Sequence, residues 1–358
     1  MEQNFKQPDM KKTILFVLRD LVPTRIAIRL IRKFKAAGHI VEVIAEGRAV
    51  EELRGAGIDI RHAGDNNLDR FIGAEPILSK ISPHIVVVGC SFPINWELEF
   101  AQAARSKNIP VAAIVDIWGG LQQRLQGFIP DLALVIDAAE VNAIMGAKLA
   151  QKAVVIGDIA SQADITMSEK KRQWLDQVCD GKSSVLIVGD SKANVEEIVT
   201  WTVQAMNRVL GGREYYRIFG SFVHPKEKDA PENKGLLTRI HQMLSSLQFI
   251  EHDGISIDAL AAYCDVTVTC FSTPGRIALH NGKRFVSIAG PDSLTLLKDE
   301  TGQAEFELVR RRIVPALDEV QPFSYWINPL HEQKGRMWVA TAAFNVNAGG
   351  DAILRTAI

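Results

Sequence analysis

Asp265-Val-Thr-Val-Thr-Cys-Phe-Ser-Thr-Pro-Gly-Arg-Ile-Ala-Leu-His-Asn-Gly-Lys-Arg-Phe-Val-Ser-Ile288 is the stretch from which the fold can be read. Two short β-branched runs, Val266–Thr269 and Arg284–Ile288, flank a helical segment, Pro274–Asn281. A helix between two strands is a crossover, so the strands it joins run parallel. Both runs are apolar enough to be buried on each face, as central strands of a parallel sheet must be.

The alternation continues upstream. Val185–Val188 reads as a strand, Val195–Leu210 as a helix, Tyr215–Phe219 as a strand, Lys234–Ser246 as a helix, Gln248–Glu251 as a strand and Ile257–Cys264 as a helix. The first half of the chain repeats the pattern independently. Thr13–Leu18, Ile40–Ala45, Ile85–Gly89, Val111–Asp116 and Leu132–Ile136 predict strands, with an amphipathic helix Thr24–Ala37 stopped by Gly38. With 358 residues there is room for two cores. The expected division is an N-terminal domain over 1–165, a linker over 166–182, a second domain over 183–335 and a closing helix over 336–358 near the junction. The fold class is therefore α/β, with two Rossmann-like doubly wound parallel sheets expected to face each other across a cleft.

Composition narrows the function. The 41 Lys plus Arg against 42 Asp plus Glu provide no field to attract nucleic acid or an anionic membrane. The four cysteines, Cys90, Cys179, Cys264 and Cys270, lack CxxC pairing and nearby histidines at zinc-ligand spacing, so free buried thiols and no metal are expected. The first apolar run is too short for a signal peptide and no stretch approaches a membrane span, which predicts a cytoplasmic protein.

In doubly wound sheets, ligands sit beyond the carboxyl ends of the strands. The Ser272-Thr273-Pro274-Gly275 turn lies there. Its hydroxyls and the free amides of the helix start suit a phosphate, and Gly275 would allow close approach of a ligand; the same residues would also serve as an ordinary helix cap. Gly189 and Lys192 follow the strand Val185–Val188, where Lys192 would add a point charge, although Asp190 or Ser191 could simply cap the next helix. There is no Walker lysine pattern and no Gly-x-Gly-x-x-Gly, which removes support for ATPase or NAD-dependent readings.

In the first half, Asp116 ends a buried strand beside Trp118 and a Gly pair, with Arg124 following. An acid so placed could take a proton from an acceptor hydroxyl, or merely fix the loop, while Trp118 could stack on a sugar or fill the floor. Arg19 and Asp20 follow the first strand and Cys90 and Ser91 the strand Ile85–Gly89. Glu97 and Glu99 begin a helix whose dipole they would serve.

The run from Ile257 through Ile288, with its Ser/Thr pair, helix and Gly282-Lys283 turn before a Val-containing strand, resembles the donor-binding half of the GT-B superfamily of glycosyltransferases and sugar-nucleotide epimerases. Gly220-Ser221-Phe222-Val223-His224-Pro225-Lys226 is similar to a His-Pro segment of related members. The resemblance implies that Ser272 and Thr273 hold the diphosphate of a nucleotide-sugar donor and that His224 touches phosphate or sugar. Ile277 stands where many retaining members carry a ribose-binding glutamate. The implied activity is transfer of a sugar from a nucleoside diphosphate, UDP among the candidates, to a small-molecule, glycan or lipid-linked acceptor, without a metal or cofactor. A sugar-nucleotide epimerase or hydrolase and a non-catalytic binding protein are the alternatives, and a homo-oligomer is compatible with any of them.

Overall fold

A computed structural model describes residues 10–63, 73–92, 96–210, 216–222, 233–245, 249–250, 254–317 and 329–357. The chain divides into two compact units, one formed by Met1–Ile159 with Phe344–Ile358 and the other by Ala160–Ala343.

The first unit carries β1 (Thr13–Leu18), β2 (Ile40–Ala45), β3 (His62–Ala63), β4 (Ile85–Val88), β5 (Val111–Ile114), β6 (Leu132–Val135) and β7 (Ala153–Val155). They form one sheet in the order β3-β2-β1-β4-β5-β6-β7, every pairing parallel. Successive side chains of a strand point to opposite faces. Accordingly Ile14, Phe16 and Leu18 pack with Ile31 and Phe34 of helix Leu21–Ala36 on one face. Leu15 and Val17 pack with Phe100 and Ala101 of helix Trp96–Ser106 on the other. β3 is short, and its pairing covers only Ile44 and Ala45.

The tail differs from the single helix expected over 336–358. Helix Pro329–Thr341 belongs to the second unit, and a new helix, Val346–Thr356, belongs to the first. Asn345 starts it by accepting from the N–H groups of Asn347 and Ala348. Ala352 and Ile353 then fill the cluster beneath helix Leu21–Ala36, and Lys33 pairs with Asp351 at 2.8 Å.

The second unit carries β8 (Ser183–Val188), β9 (Tyr216–Ser221), β10 (Val266–Thr269), β11 (Arg284–Ile288) and β12 (Ala316–Leu317), all parallel, in the order β12-β11-β10-β8-β9. Of the strand expected over Gln248–Glu251, Phe249 makes an isolated parallel bridge to Ile218, while Gln248 and Glu251 lie outside the described residues. Residues 166–182, expected as a linker, contain helix Glu169–Cys179. Its Leu175 and Cys179 are buried against the sheet, and Arg217 of β9 donates to the Val178 carbonyl at 2.9 Å.

Each sheet thus has one point where the winding reverses: between β1 and β4 in the first unit, and between β8 and β10 in the second. Loops leave a reversal in opposite directions and open a crevice at its carboxyl edge. Among the described residues no helix is long and apolar enough to cross a membrane.

The contribution of the tail to the first core is measurable. Ile353→Ala removes a fully buried side chain and is expected to cost about 2–5 kcal/mol, read as a lower urea midpoint of the first unit.

Candidate functional site

At the reversal of the second sheet, β8 runs into Gly189 and Asp190, and β10 runs into Cys270, Phe271 and Ser272. Asp190 is only 7% exposed and accepts five hydrogen bonds. Its donors are the Thr269 hydroxyl at 3.0 Å, the Cys270 amide at 2.9 Å, the Phe271 amide at 3.2 Å, Asn194 Nδ2 at 3.1 Å and the Ser272 hydroxyl. A buried carboxylate demands donors, and here two strand ends supply them. The turn expected to hold phosphate is thereby fixed from beneath.

This arrangement revises several individual roles. Ser272 is the N-cap residue of helix Thr273–His280, yet its hydroxyl proton goes to Asp190, 82 positions away, instead of to the helix. Pro274 lies in the first turn, where a missing N–H costs nothing. Thr273 Oγ1 accepts from Arg276 at 3.3 Å, and Arg276, 2% exposed, brings a buried guanidinium to the start of the helix. Gly275 serves packing: a Cβ there would come within 2.6 Å of the Phe285 ring, so the glycine lets helix and β11 approach. Gly189 does the same against Val195, at 2.7 Å. Lys192 is exposed on the loop between them. His224 lies outside the described residues.

The neighbouring helix Pro291–Thr301 has its N-terminus already filled. Glu197 accepts from the amides of Asp292 at 3.0 Å and Ser293 at 2.8 Å, an anion supplied by the protein itself. Nothing local in the sequence signals this. A separate cavity of about 700 Å³ opens at the amino-terminal edge of the same sheet, lined by Lys182, Tyr263, Asp265 and Lys283 among others. It lies away from the loops where this fold binds ligands.

In the first unit the reversal gathers a second set of polar groups. Arg19 pairs with Glu46 at 2.9 Å, and Asp20 accepts the Phe92 amide at 3.3 Å, linking the loops after β1 and β4. After β5, Asp116 pairs with Arg124 at 3.0 Å, and Arg124 also donates to the Cys90 carbonyl at 2.8 Å. Asp116 therefore holds Arg124 in place across two loops. Trp118 is 1% exposed and donates to Asp137 at 3.2 Å, so it fills the floor and offers no stacking face. The glycine pair has steric reasons: Gly119 has φ +75°, and a Cβ on Gly120 would meet Ile117 at 2.7 Å.

The burial of Glu97 is what sequence reasoning missed. It lies in the first turn of its helix, as expected, but its side chain is wholly buried. Oε1 accepts the Ser91 hydroxyl at 2.5 Å, and Oε2 has no hydrogen-bond partner among the described residues. Desolvation dominates and pushes its carboxyl up to about 7, partly opposed by the bond from Ser91.

Two doubly wound parallel sheets, each with polar loops gathered at its reversal, define the GT-B class of fold. Solved structures agree. The UDP-GlcNAc 2-epimerase from Methanocaldococcus jannaschii in complex with UDP-GlcNAc and UDP has a TM-score of 0.62 and 16% identity, covering 95% of this chain and 98% of that one. The UDP-GlcNAc 2-epimerase from Neisseria meningitidis bound to UDP-GlcNAc gives 0.61 and 15%, covering 96% and 97%. A glycosyltransferase from Rickettsia africae gives 0.57 and 16%, covering 97% and 98%. No protein-family model matches the sequence, and no curated protein matches it. Among the described residues no group of three or more His, Cys, Asp or Glu is placed to hold a metal ion.

Two outcomes test this geometry. Asp190→Asn puts an amide among five donors and is expected to lower the stability of the second unit by about 1–3 kcal/mol in denaturant unfolding. For Glu97 the folded carboxyl lies above its ordinary value, so the native state holds the proton longer. Stability should fall as pH rises from about 4.5 to about 7 and level off above, by up to about 3 kcal/mol. Glu97→Gln should abolish that slope, measured as melting temperature against pH.

Proposed function

We propose that this chain binds a nucleoside-diphosphate sugar, with UDP as the first candidate, at the β8/β10 reversal, and transfers the sugar to an acceptor held at the carboxyl edge of the first unit. The observation that carries the reading is the turn fixed by Asp190. It presents a helix start together with buried Arg276, the Thr273 hydroxyl and Lys192, a concentration of amides and positive charge suited to a diphosphate. These groups would stabilise the charge that develops on the departing diphosphate. Of the expected donor residues, Thr273 and Lys192 would contact phosphate, whereas Ser272, Gly189 and Gly275 would shape the turn. His224, placed by resemblance, would contact the sugar or phosphate.

On the acceptor side, Arg19, Asp20, Asp116 and Arg124 would line the reversal of the first sheet. Acceptors of small-molecule, glycan or lipid-linked type fit this scheme, which calls for no cofactor. A second reading, epimerisation of the nucleotide sugar, is favoured by the epimerases among the structures that share the fold. It would turn over the donor with no acceptor present, whereas transfer makes product formation depend on one.

Thermal melting against UDP, GDP, CDP, ADP and dTDP provides the test. UDP at about 100 times its Kd should add about 2.7 kcal/mol to stability, read as a rise in Tm. Lys192→Ala with Thr273→Val should abolish most of that rise while leaving the unliganded Tm within a few degrees. Absence of a shift with every nucleotide would sink the assignment.

A further inference from the structure

The cavity at the amino-terminal edge of the second sheet plays no part in the reversal site. Its volume of about 700 Å³ falls within the usual span of small-molecule sites, roughly 300–1,000 Å³. Every residue that lines it belongs to the second unit. β8 and β10 begin at this edge and end at the reversal, and the four residues of β10 alone put roughly 13 Å between the two. A small ligand held here would not touch the turn at Ser272.

The walls are fixed by bonds within the unit. Helix Glu169–Cys179 forms one side, tied down where Tyr263 donates to Asp176 at 2.8 Å, Lys171 to the Gly254 carbonyl at 2.8 Å and Arg217 to the Val178 carbonyl at 2.9 Å. Met167, Ala259 and Ala262 make part of the lining apolar, and the two alanines leave room beside helix Ile257–Tyr263.

Charge decides what could fill the space. Two acids, Asp176 and Asp265, and three cations, Arg172, Lys182 and Lys283, face it. The protein itself engages the acids: Asp176 accepts from Tyr263, and Asp265 accepts the Ser184 amide at 2.9 Å and the Ser184 hydroxyl at 3.1 Å. The cations are less committed. Arg172 and Lys182 make no side-chain hydrogen bond or ion pair among the described residues. Lys283 stands 3.7 Å from Asp265, too far for a hydrogen bond.

Lysines just past a helix often serve its exposed carbonyls. Here backbone amides do so. Asp180 and Lys182 close helix Glu169–Cys179 onto the Asp176 and Cys179 carbonyls, and Gly282 and Lys283 close helix Thr273–His280 onto those of Leu279 and Ala278. Gly282, at φ +71°, permits the second closure. The two ammonium groups are thereby spared as caps and remain on the cavity wall.

We propose that this cavity is a second ligand site, which takes a small phosphorylated metabolite. Its phosphate would lie among Lys182, Lys283 and Arg172, and its organic body against Met167, Ala259 and Ala262. A phosphate monoester, with a charge of about −1.5 to −2 near neutral pH, matches three cations better than a single carboxylate does. The arginine adds a planar fork to two point charges.

Titration calorimetry with glucose 6-phosphate, inorganic phosphate and citrate tests the site, on the Lys192→Ala, Thr273→Val chain so that the reversal site contributes no heat. Glucose 6-phosphate should bind, and inorganic phosphate more weakly, because it covers none of the apolar wall. Adding Lys182→Gln and Lys283→Gln should weaken glucose 6-phosphate about 100-fold, since each hydrogen bond to a charged group is worth about tenfold or more. The same two substitutions in the otherwise unaltered chain should leave the unliganded Tm within a few degrees and the UDP-induced shift unchanged. Failure of both phosphate compounds to bind, or an affinity that survives loss of the two lysines, would overturn the site. Citrate binding more tightly than glucose 6-phosphate would overturn the phosphate assignment, and loss of the UDP shift with the two lysines would overturn the separation of the two sites.

Discussion

The carboxylate of Asp190 is the constraint around which the second unit is organised. A parallel sheet buries its strands on both faces and leaves polar groups only at its edges. Where β8 and β10 end side by side, amides and hydroxyls at the end of β10 point toward Asp190, just past the end of β8. A single buried anion satisfies them together: the Thr269 and Ser272 hydroxyls and the Cys270 and Phe271 amides from one strand, and Asn194 from the helix following the other. The Ser-Thr-Pro-Gly turn is therefore held by a buried hydrogen-bond network contributed by both strands.

Much of this could be read from the sequence because it is local. The runs Val185–Val188, Val266–Thr269 and Arg284–Ile288 announce buried parallel strands, and the observed β8, β10 and β11 contain them. The Ser-Thr-Pro-Gly turn marks the end of β10 and the start of a helix, again through local signals: a capping residue and a proline in the first turn. The site as such was harder. Ser272 looks like a free hydroxyl until Asp190 is brought to it from 82 residues away. Gly275 looks like a phosphate glycine until Phe285 packs against it.

The first unit shows the same limit more sharply. Trp118 beside two glycines suggests a stacking platform, but Asp137, nineteen residues on, claims its indole N–H and buries it. Glu97 in the first turn of a helix has an ordinary surface explanation. Nothing nearby in sequence reveals that its carboxyl packs directly against Gly89. The tail is legible as helix from its spacing, yet the break at Asn345 and the transfer of the last turns to the first core depend on tertiary contacts with Lys33 and Ile156.

Asp190 and Glu97 are each a buried acid near the carboxyl edge of a reversing sheet, and their surroundings differ. Around Asp190 five donors replace the hydration that burial removed, so no oxygen is left to react and the group acts as a fixed point. Around Glu97 burial prevails over the Ser91 hydroxyl and the residue's own backbone bond, with Asp20 also opposing ionisation, and the carboxyl is raised to about 7. Donor count, not residue type, separates the two.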